Sequence, residues 1–308
     1  MTETTKIILE NYQVRKTRKQ KRAFSEYLET TATSYGYEFK EEKGALGSKN
    51  LIVGDPERAK VVYTAHYDTA PVLPFPNFIT PKNIFIYILY NLLILAMFFA
   101  IAFFLGFASG YLCAMLSLSD DVAFIIAEAL YILVIFLFIA GPANKHTAND
   151  NTSGVTLLID IMRDLPEQSR GDVAFVFFDL EEMGLIGSSS FARAHRDIMK
   201  NKLLLNFDCV SDGENILFVL RKGAVPYRGA IEAAFAPKNG FVTEVAEKGV
   251  FYPSDQARFY CGVGVAALKK TKGGLLYMNR IHTPRDVIYT EENIEFLKCG
   301  AIELPTLL

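Results

Sequence analysis

VAFVFFDLEEMGLIGSSSF, residues 173–191, carries the fold in miniature. The six-residue apolar run Val173–Phe178, rich in aromatic and β-branched side chains, is too short for a helix and reads as a strand. It stops on Asp179, Glu181 and Glu182, turns through Gly184 and Gly187, and continues from Ser188 to Lys200 with helical periodicity. Strand, acidic loop and helix in that order are the unit of an α/β fold. The unit recurs. Val61–Ala65, Leu203–Phe207 and Ile216–Leu220 read as further strands, and Thr156–Asp164 repeats apolar residues at helical spacing. The expected class is therefore α/β, a three-layer sandwich around a mixed, largely parallel central sheet. In such sheets ligands bind beyond the carboxyl ends of the strands.

Polar residues collect at those ends. His66 and Asp68 follow the first strand, Asp179, Glu181 and Glu182 follow Val173–Phe178, and Asp208 follows Leu203–Phe207. Asn149-Asp150-Asn151 opens the helix that begins near Ser153, and His282 with Asp286 follows the apolar stretch 275–281. Each cluster alone is an ordinary surface feature, but five sets of imidazole and carboxylate at strand ends and loops form a donor set for divalent cations. Two such ions about 3.5–4 Å apart need a shared carboxylate and further ligands for each. Imidazole with carboxylate and no cysteine is compatible with zinc in a catalytic site. One further carboxylate must stay free to accept a proton from water.

The whole chain has 308 residues, 51% apolar and 21% charged, with a formal net charge of −2. That balance excludes disorder and offers no basic footprint for nucleic acid. The apolar excess is local: residues 84–140 hold only three charges, Asp120, Asp121 and Glu128. Ile84–Leu105 is a 22-residue run interrupted by Asn91, and Val122–Ala140, interrupted by Glu128, stops at Gly141-Pro142. A helix of the first length spans about 33 Å, enough for a hydrocarbon core of about 30 Å. The reading is a transmembrane helical hairpin with a loop over 106–121. Buried core helices or a dimerisation arm are the alternatives, and Asn91 and Glu128 suit a polar contact between the helices.

The loop between the runs carries no Lys or Arg, whereas Lys82, Lys145 and the segment Arg15–Arg22, six basic residues in eight, flank them. The positive-inside bias places both flanking parts in the cytoplasm. The basic segment itself reads as the solvated face of a helix from Val14 to about Ser34, with Phe24, Tyr27 and Leu28 inward, or as a patch for anionic lipid. Cys113, Cys209, Cys261 and Cys299 lack metal or redox spacing and are expected to be buried thiols. His146 and His195 lie outside the ligand motifs.

TAHYDT (64–69), HTANDNTSGV (146–155), FDLEEMGLIGSSSF (178–191), LNFDCVSDG (205–213) and RIHTPRDV (280–287) resemble, in order, the motifs of the two-zinc aminopeptidases of metallopeptidase family twenty-eight. PSDQARF (253–259) resembles the family's Ser-Asp-His-x-x-Phe segment. The resemblance implies one zinc peptidase domain, residues 1–83 and 141–308, interrupted by the hairpin 84–140, which would contact the lipid bilayer. It implies two zinc ions per chain and peptide substrates. Asp150 would bridge the ions, with His66 and Asp208 at one and Glu182 and His282 at the other. Glu181 would be the general base, Asp68 would orient His66, and Asp286 would do the same for His282.

Two features depart from the family pattern. Asp68 and Asp150 are 82 positions apart, the hairpin filling the difference, so both loops should lie near the membrane and favour apolar or membrane-proximal peptides. Gln256 stands where the family commonly has His, which suggests altered substrate contacts. The related glutaminyl cyclases bind one zinc through Asp, Glu and His. They are the second enzymatic reading, and a non-catalytic binding module on the same fold is a third.

Overall fold

The computed structural model describes residues 1–237 and 241–308. Its strands are β1 (Phe39–Lys43), β2 (Lys49–Val53), β3 (Val61–His66), β4 (Val173–Phe178), β5 (Leu203–Phe207), β6 (Asn215–Leu220), β7 (Val242–Ala246), β8 (Gly262–Lys270) and β9 (Leu276–Tyr277). They form one mixed sheet in the order β1-β2-β4-β3-β5-β8-β6-β7, with β9 beside β8. The central block β4-β3-β5-β8 is parallel. Antiparallel pairs flank it on both sides. β3 lies between β4 and β5, so its neighbours arrive by crossovers on either side and their carboxyl ends open into one crevice.

Period-two alternation sends successive side chains of β4 to opposite faces. Phe175 and Phe177 join Tyr63, Ala65 and Phe207 under α1 (Glu3–Asn11), α2 (Arg18–Ser34), α5 (Gly154–Asp164) and α9 (Glu291–Glu303). Ala174, Val176 and Phe178 face the other way, onto Phe191 of α6 (Ile186–Ala194) and Met199 of α7 (Arg196–Met199). These faces are the outer layers of the expected sandwich; α8 (Arg228–Ala234) adds Ile231 to the first.

The N-terminal region is two helices, not one. Thr17 caps α2 through a reciprocal pair with Gln20, so the helix starts at Arg18. Arg15, expected on a solvated basic face, is instead wholly buried between the helices. Of the cysteines, Cys113, Cys209 and Cys261 are buried as expected, but Cys299 is exposed on the outer face of α9.

The inserted segment is a helical hairpin of α3 (Ile84–Met115) and α4 (Asp120–Ala140). α3 runs ten residues beyond the expected end, so most of the expected loop is helix and the turn is short. Both helices are long and apolar enough to cross a membrane, and the most apolar stretch of each is 0% and 6% buried. Ring contact between Phe98 and Phe138, centroids 4.9 Å apart, sets their register. The first turns of α3 lie beside the domain, where Tyr90 donates to the carbonyl of Pro76 at 2.5 Å and Tyr87 meets Phe251. Deeper in the hairpin the buried residues are small, Ser109, Cys113 and Ala123, and allow close approach of the helices. The expected polar contact between Asn91 and Glu128 is not formed. Asn91 donates to the carbonyl of Tyr87 in its own helix, and Glu128 is exposed on α4.

Candidate metal centre

Three parallel strands deliver the first ligand candidates, and a clasp of asparagines brings the fourth. Asn149 accepts from the N–H groups of Ser211 and Asp212 at 2.8 and 3.0 Å. Asn151 donates to the carbonyl of Phe207 at 3.0 Å and accepts from Gly154 and Cys209. The loop before α5 is thereby tied to the end of β5, which fixes Asp150 against Asp208. Gly154 makes that approach possible, because a Cβ there would stand 2.2 Å from the carbonyl oxygen of Phe207. The peptide between Asp150 and Asn151 is cis.

Asp150 then faces both histidines, one with each oxygen. Its Oδ1 is 3.1 Å from His66 Nε2, and its Oδ2 is 3.1 Å from His282 Nε2. His66 Nε2 also stands 3.6 Å from Asp208, and His282 Nε2 3.1 Å from Glu182. Two donor groups result, His66–Asp150–Asp208 and Asp150–Glu182–His282, each with ligand atoms within 4.8 Å of one another. A third group joins His66, Glu181 and Glu182. The site thus brings together His66, Asp150, Glu181, Glu182, Asp208 and His282. Leu180, Cys209 and His282 hold left-handed backbone conformations, with φ of 54°, 59° and 62°. Such conformations cost of order 1–3 kcal/mol each and persist where surrounding structure imposes them.

Asp68 faces the ring nitrogen of His66 that is turned away from Asp150, and it has a second set of contacts. It stands 3.5 Å from His66 Nδ1, and its hydrogen bonds come from the backbone of Glu181 at 3.0 Å and Glu182 at 3.3 Å. It braces the loop that carries both glutamates. Asp286 makes no hydrogen bond with His282 among the described residues. Its carboxylate accepts from the N–H groups of Asn149 and Asp150 at 2.8 and 3.0 Å, because the loop before α5 presents those donors to it. Gln256 is buried. Its amide donates to the carbonyl of Tyr252 at 2.7 Å and accepts from Asn206, against a glycine surface on β8. His146 is exposed, and His195 pairs with Glu42 at 2.8 Å.

The electrostatics show a site short of positive charge. Burial would lower the pKa of His66, but Glu181, Asp150, Asp208 and Asp68 raise it well above the ordinary imidazole value. His282 is raised in the same way by Glu182 and Asp150, against its burial. Burial pushes Glu181 well up, with Glu182, Asp255 and Asp208 adding to the effect and His66 opposing it. Asp150 is buried too, yet the two imidazoles hold it well below the usual carboxylate range. Glu182 Oε1 and Asp208 Oδ1 are buried without a hydrogen-bond partner. Buried carboxylate oxygens are normally paired, so these atoms, beside two imidazole nitrogens, fit a bound divalent cation.

Sequence reading missed two residues. Both carboxylate oxygens of Asp255 are buried without a partner, and burial raises its pKa to about 7. Its neighbour Ser254 donates to Asp208 Oδ2, so the segment 253–259 supports the β5 ligand from behind. Arg15 donates to the carbonyls of Tyr67 at 2.5 Å and Tyr12 at 2.6 Å and reaches Thr152 Oγ1 at 3.3 Å. It ties the His66 loop to the Asp150 loop. A basic cluster read only as charge conceals such a residue.

A model of peptidase family M28 matches residues 133–305, more than half of the sequence. The chain belongs to peptidase family M28. The match takes in Asp150, Glu181, Glu182, Asp208 and His282; His66 and Asp68 lie before it, beyond the hairpin. Solved structures of low identity share the fold. The Legionella pneumophila LapA aminopeptidase is 13% identical, with a TM-score of 0.58 over 99% of this chain and 68% of that one. A glutaminyl cyclase of Porphyromonas gingivalis (16% identity) and a Zn-dependent exopeptidase of Parabacteroides distasonis (14%) each have a TM-score of 0.58, over 98% of this chain and 96% of theirs. No curated protein matches the chain.

Proposed function

We infer that this M28 peptidase is a membrane-tethered, zinc-dependent aminopeptidase. Residues 1–83 and 141–308 form one catalytic domain, and residues 84–140 tether it to the bilayer. The observation that carries the reading is Asp150, whose two oxygens address two different imidazoles, each with a further carboxylate beside it. His66 and Asp208 would hold one zinc ion, Glu182 and His282 a second, and Asp150 would serve both. Bound zinc supplies Lewis acidity toward a peptide carbonyl and lowers the pKa of water to near neutrality.

The chain's own residues do the rest. Glu181 sits among the ligands, half-buried, with a pKa raised well above the ordinary carboxylate value, the direction that favours proton uptake by a general base. It accepts the proton of the attacking water and returns it to the leaving amine. Asp68 fixes Glu181 and Glu182 through their backbone, and Arg15 holds the Asp68 and Asp150 loops in register.

The test is mass spectrometry of a mixed peptide pool, with free, N-acetylated and Gln N-termini, incubated with the zinc-loaded chain and its Glu181→Gln variant. Stepwise shortening of the unblocked peptides alone, lost in a variant that keeps its zinc, is the expected result. Loss of ammonia from Gln peptides without shortening would make the chain a cyclase; no change at all would make it a binding module. The tether favours a cytoplasmic domain, since Lys82 and Lys145 lie exposed at the domain end of the hairpin and no basic residue lies at its tip. Digestion of the domain by protease added outside sealed, right-side-out vesicles would refute that orientation.

A further inference from the structure

The hairpin does more at its root than anchor. Where α3 and α4 meet the domain, they and the strap of residues 73–77 enclose an apolar groove of about 490 Å³. Ile94 and Phe98 of α3, Ile135 and Phe138 of α4, and Phe75 of the strap line it together with His282. The same His282 faces Asp150 and Glu182 with its Nε2 at 3.1 Å. The groove's lining therefore reaches one of the metal-ligand candidates, His282, from the apolar helices α3 and α4.

The groove is built, not an accident of an exposed surface. Leu73 donates to the carbonyl of His282 at 2.8 Å, and Val72 to that of Pro142 at 2.8 Å, so the strap is bound at once to the ligand loop and to the end of α4. Phe138 meets Phe75 in a tilted contact and Phe98 edge-on, with centroids 5.6 and 4.9 Å apart, and forms part of its wall. Its volume lies inside the range of roughly 300–1,000 Å³ for ligand sites, and its character, mostly apolar with Asn77, Tyr131 and His282 as the polar members of the lining, is that of such sites. Ile135 is five residues from the end of α4, about 8 Å along the helix. The open side of the groove thus lies at the level where the bilayer's apolar layer begins.

We propose that this groove is the substrate's apolar subsite, holding a large apolar side chain at the start of a membrane-partitioned peptide while the scissile bond lies at the metal ligands. The inference rests on the aminopeptidase reading for the bond that is cut, and on the groove alone for the side chain that is held. A peptide with apolar leading residues concentrates in the bilayer and reaches the site from the side. Continuity between groove and His282 lets burial of that side chain position the adjoining backbone. A pocket contact worth one or two methylenes changes selectivity by roughly 10–200-fold.

The test uses the full chain, zinc-loaded, in phosphatidylcholine vesicles. In a first arm, the ratio of kcat/KM for a Phe-leading peptide to that for an Ala-leading one is measured for wild type, Ile135→Trp and Phe103→Trp. Ile135→Trp fills the groove and should reduce the ratio at least tenfold, with Tm shifted by no more than a few degrees. Phe103→Trp, on the exposed far half of α3, should leave it as in wild type. An unchanged ratio in Ile135→Trp overturns the proposal. In a second arm, a peptide beginning with a diazirine analogue of leucine is photolysed with Glu181→Gln. Adducts within residues 94–98 and 135–139 are expected; adducts elsewhere, or none, overturn the proposal. Adducts there without hydrolysis by wild type would leave the subsite standing and defeat the aminopeptidase reading. Hydrolysis without adducts would do the reverse.

Discussion

Asp150 and Phe103 are both in the wrong place for a chain alone in water. Asp150 carries a carboxylate into the interior at 5% exposure, and Phe103 holds a phenyl ring out at 78%. Around the first stand imidazoles and unpaired carboxylate oxygens; around the second stand Phe99, Phe104 and Phe107, also exposed. Ordinary folding buries the ring and exposes the acid. On the reading proposed above, each inversion would be relieved by something outside the chain, a cation in the first region and an apolar solvent in the second. The two regions meet at His282, which is why a single histidine belongs to both descriptions.

The sharpest way to break the first half of the comparison is to neutralise the carboxylate that faces both histidines. Asp150→Asn keeps shape and removes charge, so zinc affinity should fall by more than about 100-fold, the upper end of what losing a supporting contact around a metal costs. Zinc bound per chain, measured after equilibrium dialysis, checks this directly. Retention of wild-type zinc content would show that the two histidines do not share a cation through Asp150.

A matched pair of phenylalanines tests the comparison as a whole. Phe177→Ala, in the sheet's core, should cost about 3–5 kcal/mol of stability through the cavity it leaves. Phe103→Ala, on the hairpin, should change stability by less than about 0.5 kcal/mol in lipid, because surface positions without packing partners behave that way. Denaturant unfolding of both variants in lipid nanodiscs measures the difference. Equal losses would mean that Phe103 is covered by protein, as a dimerisation arm would cover it.

Much of this was legible in the sequence, and the limits have physical causes. β4, β5 and α5 could be placed because their apolar periodicity is uninterrupted and tertiary burial agrees with it. The ligand residues were legible because strands end on them. The end of α3 was not, since Gly106, Ser109 and Gly110 look like loop residues in water yet continue an apolar helix, in which Ser109 is buried. Arg15 was hidden by its neighbours: among Lys16, Arg18 and Lys19 nothing in residue type marks the one guanidinium that points inward. The roles of Asp68 and Asp286 depend on which backbone N–H groups they meet, and backbone placement is a property of the folded loops alone.

Arg15 offers the next smaller effect. Arg15→Met keeps the aliphatic bulk but strands the carbonyls of Tyr67 and Tyr12, each costing about 1–3 kcal/mol if left unpaired in the interior. A loss of about 3 kcal/mol in unfolding free energy is expected. Zinc affinity should also weaken, since the loops bearing His66 and Asp150 lose their common tie. Stability lost with zinc affinity unchanged would confine Arg15 to packing.

The smallest effect concerns protons, and it separates the two regions because only one of them titrates. In the metal-free chain His66, His282 and Glu181 all have pKa values raised above their ordinary ones. A group raised on folding contributes stability that is full below its unfolded pKa, near 6.5 for His and 4.5 for Glu, and is lost as pH rises through the folded value. The metal-free protein should therefore lose stability from pH 6 to pH 8. Asp150 and Asp68 are lowered, are already ionised throughout that window, and add nothing to the slope. Zinc needs the same nitrogens and oxygens unprotonated, so its binding strengthens as the protons leave, by about 1.4 kcal/mol per pH unit for each proton displaced. The rise in Tm on adding zinc should accordingly be larger at pH 8 than at pH 6, by differential scanning fluorimetry. Asp150→Asn should abolish most of that difference, while Phe103→Ala should leave it intact. A zinc-induced shift that shrank with rising pH would mean that the buried carboxylates are held by something other than the cation their geometry fits.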